Sequence, residues 1–308
     1  AMDTDTFKTG FVAVIGRPNV GKSTLINALM GQKIAAASPK PQTTRRRQLG
    51  ILTTETSQII FVDTPGIHNP FHKLGEFLNQ EAQDALEGVD VILWLVDAST
   101  APDADDRRVA QMLAALRHAP PVLLGLNKVD LLSVDDLPAR TAAYAELLPS
   151  AQVFAFSATR GDGRDDLMRA LTDALPEGPP AFDPDQVTDL YEREIAADLI
   201  RESCLFHLGK EVPHSIHIRI DQFTERGEEG AYIHATIFVE RDSQKGIVIG
   251  QGGVMLKKIG SSARQQIEAM SGRKVFLELR VKVLKDWRND ETWLSRFGYK
   301  LEKGKKKR

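Results

Sequence analysis

Cysteine is almost absent from the sequence, which contains Cys204 alone among 308 residues. A single thiol excludes an intramolecular disulfide and a zinc cluster of thiolates, and this usage is typical of a reducing cytosol. No apolar run approaches the roughly 18 residues of a membrane span, and no signal peptide precedes the first predicted strand. We therefore expect a cytoplasmic protein that folds without disulfides.

A net positive charge, which often marks proteins that bind nucleic acids, is also missing, because the formal net charge is −2. The charges are unevenly placed, however. Residues 1–180 carry 17 basic and 22 acidic side chains, residues 181–240 carry 5 and 13, and residues 241–308 carry 18 and 7. A basic end on an acidic chain is typical of a domain that binds polyanions. A solvated lysine-rich tail would explain residues 303–308 but not the other thirteen basic side chains.

The first half of the chain alternates short apolar runs with amphipathic segments. The apolar runs are typical of buried strands and lie at residues 11–15, 59–62, 89–96, 122–126 and 153–156. The amphipathic segments are typical of helices and lie at residues 22–30, 73–86, 105–116, 135–148 and 165–175. This alternation predicts an α/β fold with a doubly wound, mostly parallel sheet.

Clustered prolines at residues 176–184 interrupt this pattern, because they can continue neither a helix nor a central strand. We predict a first domain over residues 1–176, a Pro/Gly linker over 177–185 and a second domain over 186–308. The second domain has the order αββααβ and is of the α+β class. Its predicted elements lie at residues 186–208, 215–223, 230–240, 243–248, 254–270 and 274–283.

Residues 16–23 read GRPNVGKS and match the GxxxxGK[ST] pattern of a phosphate-binding P-loop, between a predicted strand and a predicted helix. Backbone N–H groups and the helix N-terminus then point at one anion. We expect Lys22 to reach the β- and γ-phosphates and Ser23 to ligate Mg²⁺. A coincidental glycine-rich turn is the alternative. The nucleotide-binding residues here are Gly16, Arg17, Pro18, Asn19, Val20, Gly21, Lys22, Ser23 and Thr24.

A DTPG motif follows the predicted strand at 59–62 and supplies Asp63, Thr64, Pro65 and Gly66. A carboxylate here can hold Mg²⁺ through a water molecule, and the Gly66 N–H can meet the γ-phosphate. The polar stretch at residues 38–45 is typical of a first switch loop, and residues 67–71 would open the second. In the first switch we favour Thr44 over Thr43 as the ligand of Mg²⁺ and the γ-phosphate.

An NKVD motif and a Ser-Ala pair follow the last two predicted strands. The carboxylate of Asp130 can accept from the N1–H and the exocyclic amine of guanine, whereas adenine would leave it buried and unpaired. Asn127 would contact the base and brace the P-loop, and the Lys128 stem would pack on the ring. Ser157 precedes Ala158, whose N–H would meet guanine O6. Four motifs in order at strand ends predict a GTP site.

The glutamine that orients the attacking water in many GTPases is missing, because Ile67 follows DTPG. His68 supplies no glutamine either, and a solvated switch residue is the favoured interpretation of it. Hydrolysis would therefore depend on positioning, on Mg²⁺ and on a further charge. We hypothesise that Asn19 ligates K⁺ where an arginine finger's charge would sit. The expected catalytic residues are Lys22, Thr44, Gly66 and Asn19.

A second glycine-rich loop, GQGG at residues 250–253, lies between two predicted helices in the basic region. It matches the GxxG loop of a KH fold, here of the type II order, which clamps about four nucleotides of single-stranded RNA. The alternative is a structural turn. Trp287 and Trp293 could stack on bases, but we assign both to the core. The expected RNA-binding residues are Ile249, Gly250, Gln251, Gly252, Gly253, Lys257 and Lys258.

The chain resembles the Era family of bacterial GTPases over essentially its whole length. The resemblance is carried by the stretches GRPNVGKSTLINALMG, QTTRRR, FVDTPGIH, NKVD and GIVIGQGG. The resemblance implies slow GTP hydrolysis and an RNA-binding state favoured by GTP. It also implies binding of the 3′ end of 16S rRNA, maturation of the small ribosomal subunit and peripheral contact with the inner membrane. We further expect the protein to be a monomer. Gly252 departs from the family, which commonly has a lysine there.

A scaffold is the alternative from a different class of function. Its second domain would dock a protein or a membrane in a GTP-dependent manner, and the basic stretch would also suit anionic lipid. RNA binding that depends steeply on salt would distinguish the two functions.

Overall fold

The computed structural model describes residues 7–35, 44–45, 47–70, 72–189, 192–209, 212–225 and 230–299. These residues form two compact units. The first comprises the described residues up to His68 and from Glu81 to Asp189, and the second comprises Asn69 to Gln80 and the described residues beyond Asp189. No helix within these ranges is long and apolar enough to cross a membrane.

Six strands form the sheet of the first unit, in the order β2-β3-β1-β4-β5-β6. They are β1 (Lys8–Ile15), β2 (Gln48–Thr53), β3 (Ser57–Asp63), β4 (Val91–Asp97), β5 (Val122–Asn127) and β6 (Gln152–Ala155). β2 is antiparallel to β3 and the other neighbouring pairs are parallel, which confirms the doubly wound, mostly parallel fold. The sequence does not predict β2, because its short run QLGILT is interrupted by Gly50.

Helices cover both faces of this sheet. They are α1 (Lys22–Met30), α2 (Lys73–Asp84), α3 (Ala104–Ala114), α4 (Leu137–Ala145) and α5 (Arg164–Ala174), of which α2 begins in the second unit. Successive side chains of β1 face opposite sides, as the pleat of a strand requires. Val12 and Val14 belong to one buried cluster, and Ala13 and Ile15 belong to another.

The predicted linker at 177–185 lies on the first unit. The N–H groups of Ala181 and Phe182 donate to Oε1 of Gln58 at 2.8 and 2.9 Å, and Nε2 of Gln58 donates to the Phe182 carbonyl at 3.0 Å. Gln58 is fully buried in β3. The boundary between the units therefore follows Asp189, and not the proline cluster from which we predicted it.

The second unit contains a three-stranded sheet in the order β7-β8-β9. Its elements are α6 (Glu192–His207), β7 (His217–Glu225), β8 (Ala231–Val239), α7 (Asp242–Ile249), α8 (Val254–Ser271), β9 (Val275–Val283) and α9 (Glu291–Arg296). β8 is antiparallel to β7 and parallel to β9, which confirms the αββααβ order of a KH fold. Two details differ from the prediction, since residues 186–189 are not helical and α9 is additional.

The two faces of this sheet carry different clusters. One face packs against α6 and α8, with Ile233, Ile237 and Ile259 fully buried. On the other face Phe238 belongs to an aromatic cluster, completed by Leu74, Phe77, Leu78, Trp287, Leu294, Phe297 and Tyr299, with Trp293 partly buried against it. The assignment of both tryptophans to the core is therefore confirmed. The segment Asn69–Gln80 belongs to the second unit because its apolar side chains lie in this cluster.

Candidate functional site

The carboxyl ends of the parallel strands bring the four nucleotide motifs to one edge of the first sheet. The P-loop follows β1, DTPG begins at the end of β3, NKVD begins at the end of β5 and the Ser-Ala pair follows β6. Ligands of open α/β sheets bind at this edge, where the loops meet. The motifs predicted from the sequence therefore form one site in space.

Two glycines shape the P-loop by close approach. A Cβ atom on Gly16 would lie 2.3 Å from the carbonyl oxygen of Leu95, and one on Gly21 would lie 2.4 Å from Nδ2 of Asn127. Gly21 also has a φ of 101°, which glycine adopts without strain, and it immediately precedes α1. The loop can therefore lie close to a phosphate and present the N-terminus of α1 to it.

Lys22 lies folded over the loop that precedes it. Its Nζ donates to the carbonyls of Gly16 at 3.2 Å and Arg17 at 3.0 Å. Burial lowers the pKa of Lys22 to about 8, although the nearby Asp63 favours the charged form. A phosphate beside this ammonium would restore its usual pKa, so the buried lysine is suited to an anionic ligand.

Three oxygen-bearing side chains meet beside the P-loop. The Ser23 hydroxyl donates to Oδ2 of Asp63 at 2.7 Å and lies 2.9 Å from the Thr44 hydroxyl, which is 3.4 Å from the same carboxylate oxygen. Burial raises the pKa of Asp63 to about 6. Its other oxygen, Oδ1, is buried and has no hydrogen-bond partner among the described residues. The set suits Mg²⁺, which prefers oxygen ligands and few carboxylates. The alternative ligand, Thr43, lies outside the described residues.

The DTPG loop is fastened to the P-loop. A Cβ atom on Gly66 would lie 2.6 Å from the backbone nitrogen of Pro18, and the Ile67 N–H donates to the Gly16 carbonyl at 3.1 Å. Ile67, which occupies the position of the missing glutamine, is 3% exposed. Nδ1 of His68 lies 3.1 Å from the Gly66 carbonyl. The Ile67 side chain therefore anchors the loop and is unsuited to orient a water molecule.

Asn127 braces the base-binding loops. Its Nδ2 donates to the Val20 carbonyl at 2.8 Å, as expected, and its Oδ1 accepts from the Ala158 N–H at 2.9 Å. The Ala158 N–H, which the sequence places at guanine O6, donates to Asn127 here, and its contact with guanine stays a prediction. Asp130 carries a buried Oδ1 with no partner within the described part of the chain. That orphaned acceptor fits the donors of a guanine edge.

Lys128 links the base-binding motif to the P-loop. It adopts a left-handed conformation with φ of 65°, and its Nζ donates to the Asn19 carbonyl at 2.7 Å and to Oδ2 of Asp97 at 2.5 Å. Burial alone would raise the pKa of Asp97, but hydrogen bonds from Lys128 and Ser99 bring it below its ordinary value. Asp97 ends β4 and belongs to no motif, so no sequence pattern points to it as the partner of Lys128.

The Arg17 side chain points away from the P-loop's backbone cradle and binds residues outside the motif. Its Nε donates to the fully buried Asp106 at 3.1 Å, and its Nη2 donates to the Thr100 hydroxyl at 2.9 Å. The Tyr144 hydroxyl bonds the same carboxylate at 3.3 Å. Motif spacing places only the Arg17 backbone, and the aspartate that binds its side chain lies 89 residues away.

The remaining predicted residues mostly support the loops. The Thr64 hydroxyl donates to the Val14 carbonyl at 2.8 Å, and the Ser157 hydroxyl accepts from the Arg160 N–H at 3.1 Å. Val20 and Pro65 are buried, and Thr24 is half-buried in α1. Asn19 is exposed, with a φ of 65°.

The second glycine loop connects α7 to α8 in the second unit. Gly250, Gly252 and Gly253 have φ of 73°, 59° and 80°, a region that favours glycine. A Cβ atom on Gly250 would lie 2.7 Å from Met255 Cβ, whereas Gly252 and Gly253 face open space. Gln251 is exposed. The loop therefore presents its backbone to solvent, as contact with a phosphodiester requires.

Basic and apolar side chains flank this loop. Lys257 and Lys258 are exposed on the first turns of α8. Ile249, an expected RNA-binding residue, packs partly against the core, so less of its side chain is available to RNA than of Ile247, which is 49% exposed.

A cleft of about 430 Å³ begins beside the loop and lies between α8 and β9. It is lined by Gly253, Leu256, Lys257, Gly260, Ser261, Arg264, Leu277, Glu278 and Leu279. The apolar lining with a basic rim suits a splayed single strand of RNA.

Comparisons with known proteins agree with both units. A family model described as a 50S ribosome-binding GTPase matches residues 11–128, and a KH domain model matches residues 211–288. The chain is 48% identical to GTPase Era of Ruminiclostridium cellulolyticum, with 97% of this chain and 99% of the relative covered. It is 46% identical to GTPase Era of Geobacter metallireducens, with 97% and 100% covered.

Solved structures give the same assignment. Era in complex with MgGDPNP and nucleotides 1506–1542 of 16S ribosomal RNA superposes with a TM-score of 0.90 at 38% identity, covering 96% of this chain and 100% of that one. A tyrosine-to-alanine variant of Aquifex aeolicus Era bound to GDP·AlF₄⁻ gives the same TM-score, identity and coverage. With full-length relatives at this identity, the same two units and the same motifs, the chain belongs to the Era family of GTPases.

Proposed function

We propose that this protein is a GTP-hydrolysing switch that binds the 3′ end of 16S rRNA and assists maturation of the small ribosomal subunit. The observation that carries the proposal is the pairing of two phosphate-facing glycine loops in one chain. The P-loop lies beside a buried Ser-Thr-Asp oxygen cluster, and the GQGG loop lies beside a cleft with a basic rim. A relative with the same fold is bound to MgGDPNP and to 16S rRNA, which supports both assignments.

The P-loop and its neighbours handle the phosphates. Lys22 holds its ammonium over the loop, and the N-terminus of α1 adds donors for phosphate oxygens. Ser23, Thr44 and Asp63 would hold Mg²⁺, which when bound neutralises charge on the phosphates. Pro18 lies so close to Gly66 that a side chain would not fit at this position. We expect the Gly66 N–H to reach the γ-phosphate.

Guanine selectivity depends on Asp130. Its Oδ1 is buried with no hydrogen-bond partner among the described residues, and it gains hydrogen bonds only from a base that offers donors at N1 and at the exocyclic amine. Asn127 and Lys128 fix the geometry by tying the NKVD loop to the P-loop. Ala158 contributes through its bond to Asn127.

Hydrolysis proceeds without a glutamine beside the γ-phosphate, because Ile67 is buried at that position. The protein then positions the phosphates with Lys22, Thr44 and Gly66 and adds charge. Asn19 is exposed on the P-loop and its backbone is held by Lys128, which supports our proposal that its side chain ligates K⁺. A bound K⁺ would supply positive charge to the transition state.

RNA binding is assigned to the GQGG loop and the cleft beyond it. Gly252 and Gly253 leave room for a phosphate, and Lys257 and Lys258 supply positive charge beside them. Leu256 and Leu277 line the cleft with apolar surface for bases. Together these groups match the recognition of single-stranded RNA by KH folds, which hold about four nucleotides.

The segment Asn69–Gln80 offers a route by which the nucleotide could control RNA binding. It begins three residues after Gly66, the expected γ-phosphate sensor, yet it belongs to the second unit. Leu74, Phe77 and Leu78 lie in the aromatic cluster of that unit. A shift of the DTPG loop on hydrolysis is therefore transmitted along the backbone into the unit that binds RNA.

We also assign the protein to the cytoplasm, where it would act as a monomer with peripheral contact at the inner membrane. The basic residues at 241–308 support contact with anionic lipid as well as with RNA. RNA is favoured as the main ligand because the open glycine loop and the cleft recognise a diester strand, which a planar lipid surface does not require.

The decisive experiment measures affinity for a single-stranded oligonucleotide matching the 3′ end of 16S rRNA, with GDP and with GDPNP. We expect tighter binding with GDPNP, together with a slope of log K against log salt near roughly −3 if about four phosphates are neutralised. Absence of binding in both nucleotide states would overturn the RNA assignment. Salt-dependent binding to anionic vesicles in its place would favour the membrane-docking scaffold.

A further inference from the structure

An exposed aromatic pair lies on the second sheet, away from the aromatic cluster. Phe276 in β9 is 65% exposed, and it stacks on Tyr232 of β8 with ring centroids 5.7 Å apart and planes at 17°. The two residues are in register in the parallel ladder. The Tyr232 hydroxyl donates to Oε2 of Glu278 at 2.8 Å, which holds the ring in place.

This pair lies on the face of the sheet that is opposite to the helices. Ile233 and Val275, the next residues along each strand, belong to the buried core beneath α6 and α8. Towards the other end of the same face, Phe238 is covered by the aromatic cluster. A stacked pair in which one ring is two-thirds exposed, on a face that is otherwise polar or covered, is a candidate for ligand contact.

The pair lies across the edge strand β9 from the cleft assigned to RNA, on the opposite face of the sheet. Leu277 and Leu279 of β9 line that cleft, and Phe276 is the residue that precedes them on the edge strand. The cleft follows α8 from Gly253 to Arg264, a distance of about 16 Å at the helical rise. Because Gly260 packs beside Leu279, the Arg264 end of the cleft lies towards Leu277 and Phe276.

The charges around the pair suit a polyanion. Arg280 is exposed on β9, Lys274 is exposed just before that strand, and Arg264 is exposed at the near end of the cleft, where it pairs with Glu268 at 4.0 Å. Two acidic side chains of the described region, Glu268 and Glu278, are engaged by Arg264 and by the Tyr232 hydroxyl respectively. Aromatic rings beside basic side chains are the usual platform for the bases of a single strand.

We propose that Tyr232 and Phe276 form a base-stacking site for nucleotides that continue beyond the four held by the GQGG loop. The inference rests on the proposed binding of RNA and extends it to a second subsite around the edge of β9. Phe276 offers its exposed ring to the base. Tyr232 supports that ring from beneath, and Glu278 is a positioning residue that acts through the tyrosine hydroxyl.

The alternative is that the pair only stabilises the sheet, as cross-strand aromatic pairs do. Two RNAs distinguish these roles. One is a twelve-nucleotide single strand matching the 3′ end of 16S rRNA. The other has the same length and backbone but keeps bases only at the four positions of the KH core and is abasic elsewhere. If the pair stacks on RNA, its loss lowers affinity only for the RNA that carries bases outside the four KH positions. If the pair is purely structural, its loss affects the affinities for both RNAs equally.

We expect Phe276→Ala to weaken binding of the complete RNA about tenfold and to leave affinity for the abasic RNA unchanged, since one base–aromatic stack is lost. Phe276→Trp should retain binding of both RNAs. The slope of log K against log salt should stay at its wild-type value in Phe276→Ala, because no phosphate contact is removed. Phe206→Ala is a matched control, since Phe206 is 74% exposed on α6 in the same unit.

The outcomes separate this proposal from the wider one. Suppose that Phe276→Ala binds the complete RNA as tightly as the wild type does, while Gly252→Asp no longer binds it. That result would overturn the stacking site and leave the KH assignment intact. Equal loss for both RNAs, accompanied by a lowered unfolding temperature, would assign the pair to sheet stability. Failure of the wild type to bind either RNA would overturn both proposals.

Discussion

Phe77 packs edge to face against Tyr299, with ring centroids 5.2 Å apart and planes at 68°. Phe77 lies on α2, shortly after the DTPG loop, and is 4% exposed. The neighbouring Leu74 N–H donates to the Arg288 carbonyl at 3.3 Å, and Lys73 pairs with Glu291 at 2.7 Å. The start of α2 is thus fixed to the RNA-binding unit by side chains and by backbone.

Phe77→Ala should reduce the effect of the nucleotide on RNA affinity. Truncating a buried phenylalanine costs about 3–5 kcal/mol of packing, which loosens the segment that carries the DTPG movement. We expect the ratio of RNA affinities with GDPNP and with GDP to fall towards one, while GTP affinity changes little. Fluorescence anisotropy in both nucleotide states measures the ratio, with Phe206→Ala as the exposed control. An unchanged ratio would show that the aromatic cluster plays no part in coupling.

Gly252→Asp should abolish RNA binding and preserve GTP turnover. Gly252 has a φ of 59° and faces open space, so an aspartate would place a carboxylate where a phosphate is expected. Gly252→Asn is the matched control, because asparagine has the same shape and tolerates this backbone region. Binding should be lost with Asp and only weakened with Asn. Equal affinities of the Asp variant and the wild type would count against the loop.

Asp130→Asn should exchange guanine for xanthine as the favoured base. The carboxylate of Asp130 is expected to accept from guanine, whereas an amide at this position can donate to the carbonyl that xanthine carries in place of the amine. Loss of a charged hydrogen bond costs about 1.5–3 kcal/mol, so GTP affinity should fall roughly 10- to 150-fold. Titration with both nucleotides measures the exchange. Retention of tight GTP binding would remove Asp130 from the site.

Asp63 should make the stability of the nucleotide-free protein pH-dependent. Burial raises its pKa from 3.8 to about 6, so the folded protein holds a proton that the unfolded chain releases. As far as Asp63 is concerned, the free energy of unfolding is highest below about pH 4 and falls as the pH rises through 6. At neutral pH the ionisation of buried Asp63 has lowered it by on the order of 3 kcal/mol.

Asp63→Asn provides the test of that pH dependence. The variant should therefore gain stability relative to the wild type between pH 4 and pH 7, as measured by urea unfolding without nucleotide or Mg²⁺. The same variant should lose stabilisation by Mg²⁺ with GDPNP. A stability difference that stays constant over this range would refute the raised pKa.

Potassium should accelerate hydrolysis if Asn19 ligates it. We expect faster single-turnover hydrolysis in K⁺ than in Na⁺ buffer at equal ionic strength, and we expect Asn19→Ala to remove the difference. GDP affinity serves as the control, because the cation acts on the transition state. Equal rates of the wild type in the two salts would exclude the cation.

The sequence predicts most of the nucleotide site because each motif is short and its spacing sets the local backbone. Lys22, Ser23 and Asp63 accordingly lie where their motifs place them. The hydrogen-bond partners of the Arg17 side chain and of the Ala158 N–H do not follow from the motifs, because Asp106 and Asn127 are distant from them in the sequence. The predicted linker fails for a similar reason. Prolines in the sequence indicate that a helix ends. They do not indicate that Gln58 binds the residues after them and so holds them on the first unit.

The order of elements in the second half is also readable from periodicity, because strands and helices there differ clearly in their apolar spacing. What periodicity cannot give is the partner of an apolar face. The pattern of α2 indicates a buried stripe, and only the three-dimensional packing shows that Phe77 is covered by residues from the far end of the chain.

The discontinuous second unit limits how the protein can be dissected. A fragment that ends at residue 176 would retain Leu74, Phe77 and Leu78 but lose the aromatic side chains that cover them. A fragment that begins at 186 would expose the other half of the same cluster. Each truncated fragment would expose apolar surface and would be prone to aggregate. Point substitutions in the intact chain are therefore the better way to separate GTP hydrolysis from RNA binding.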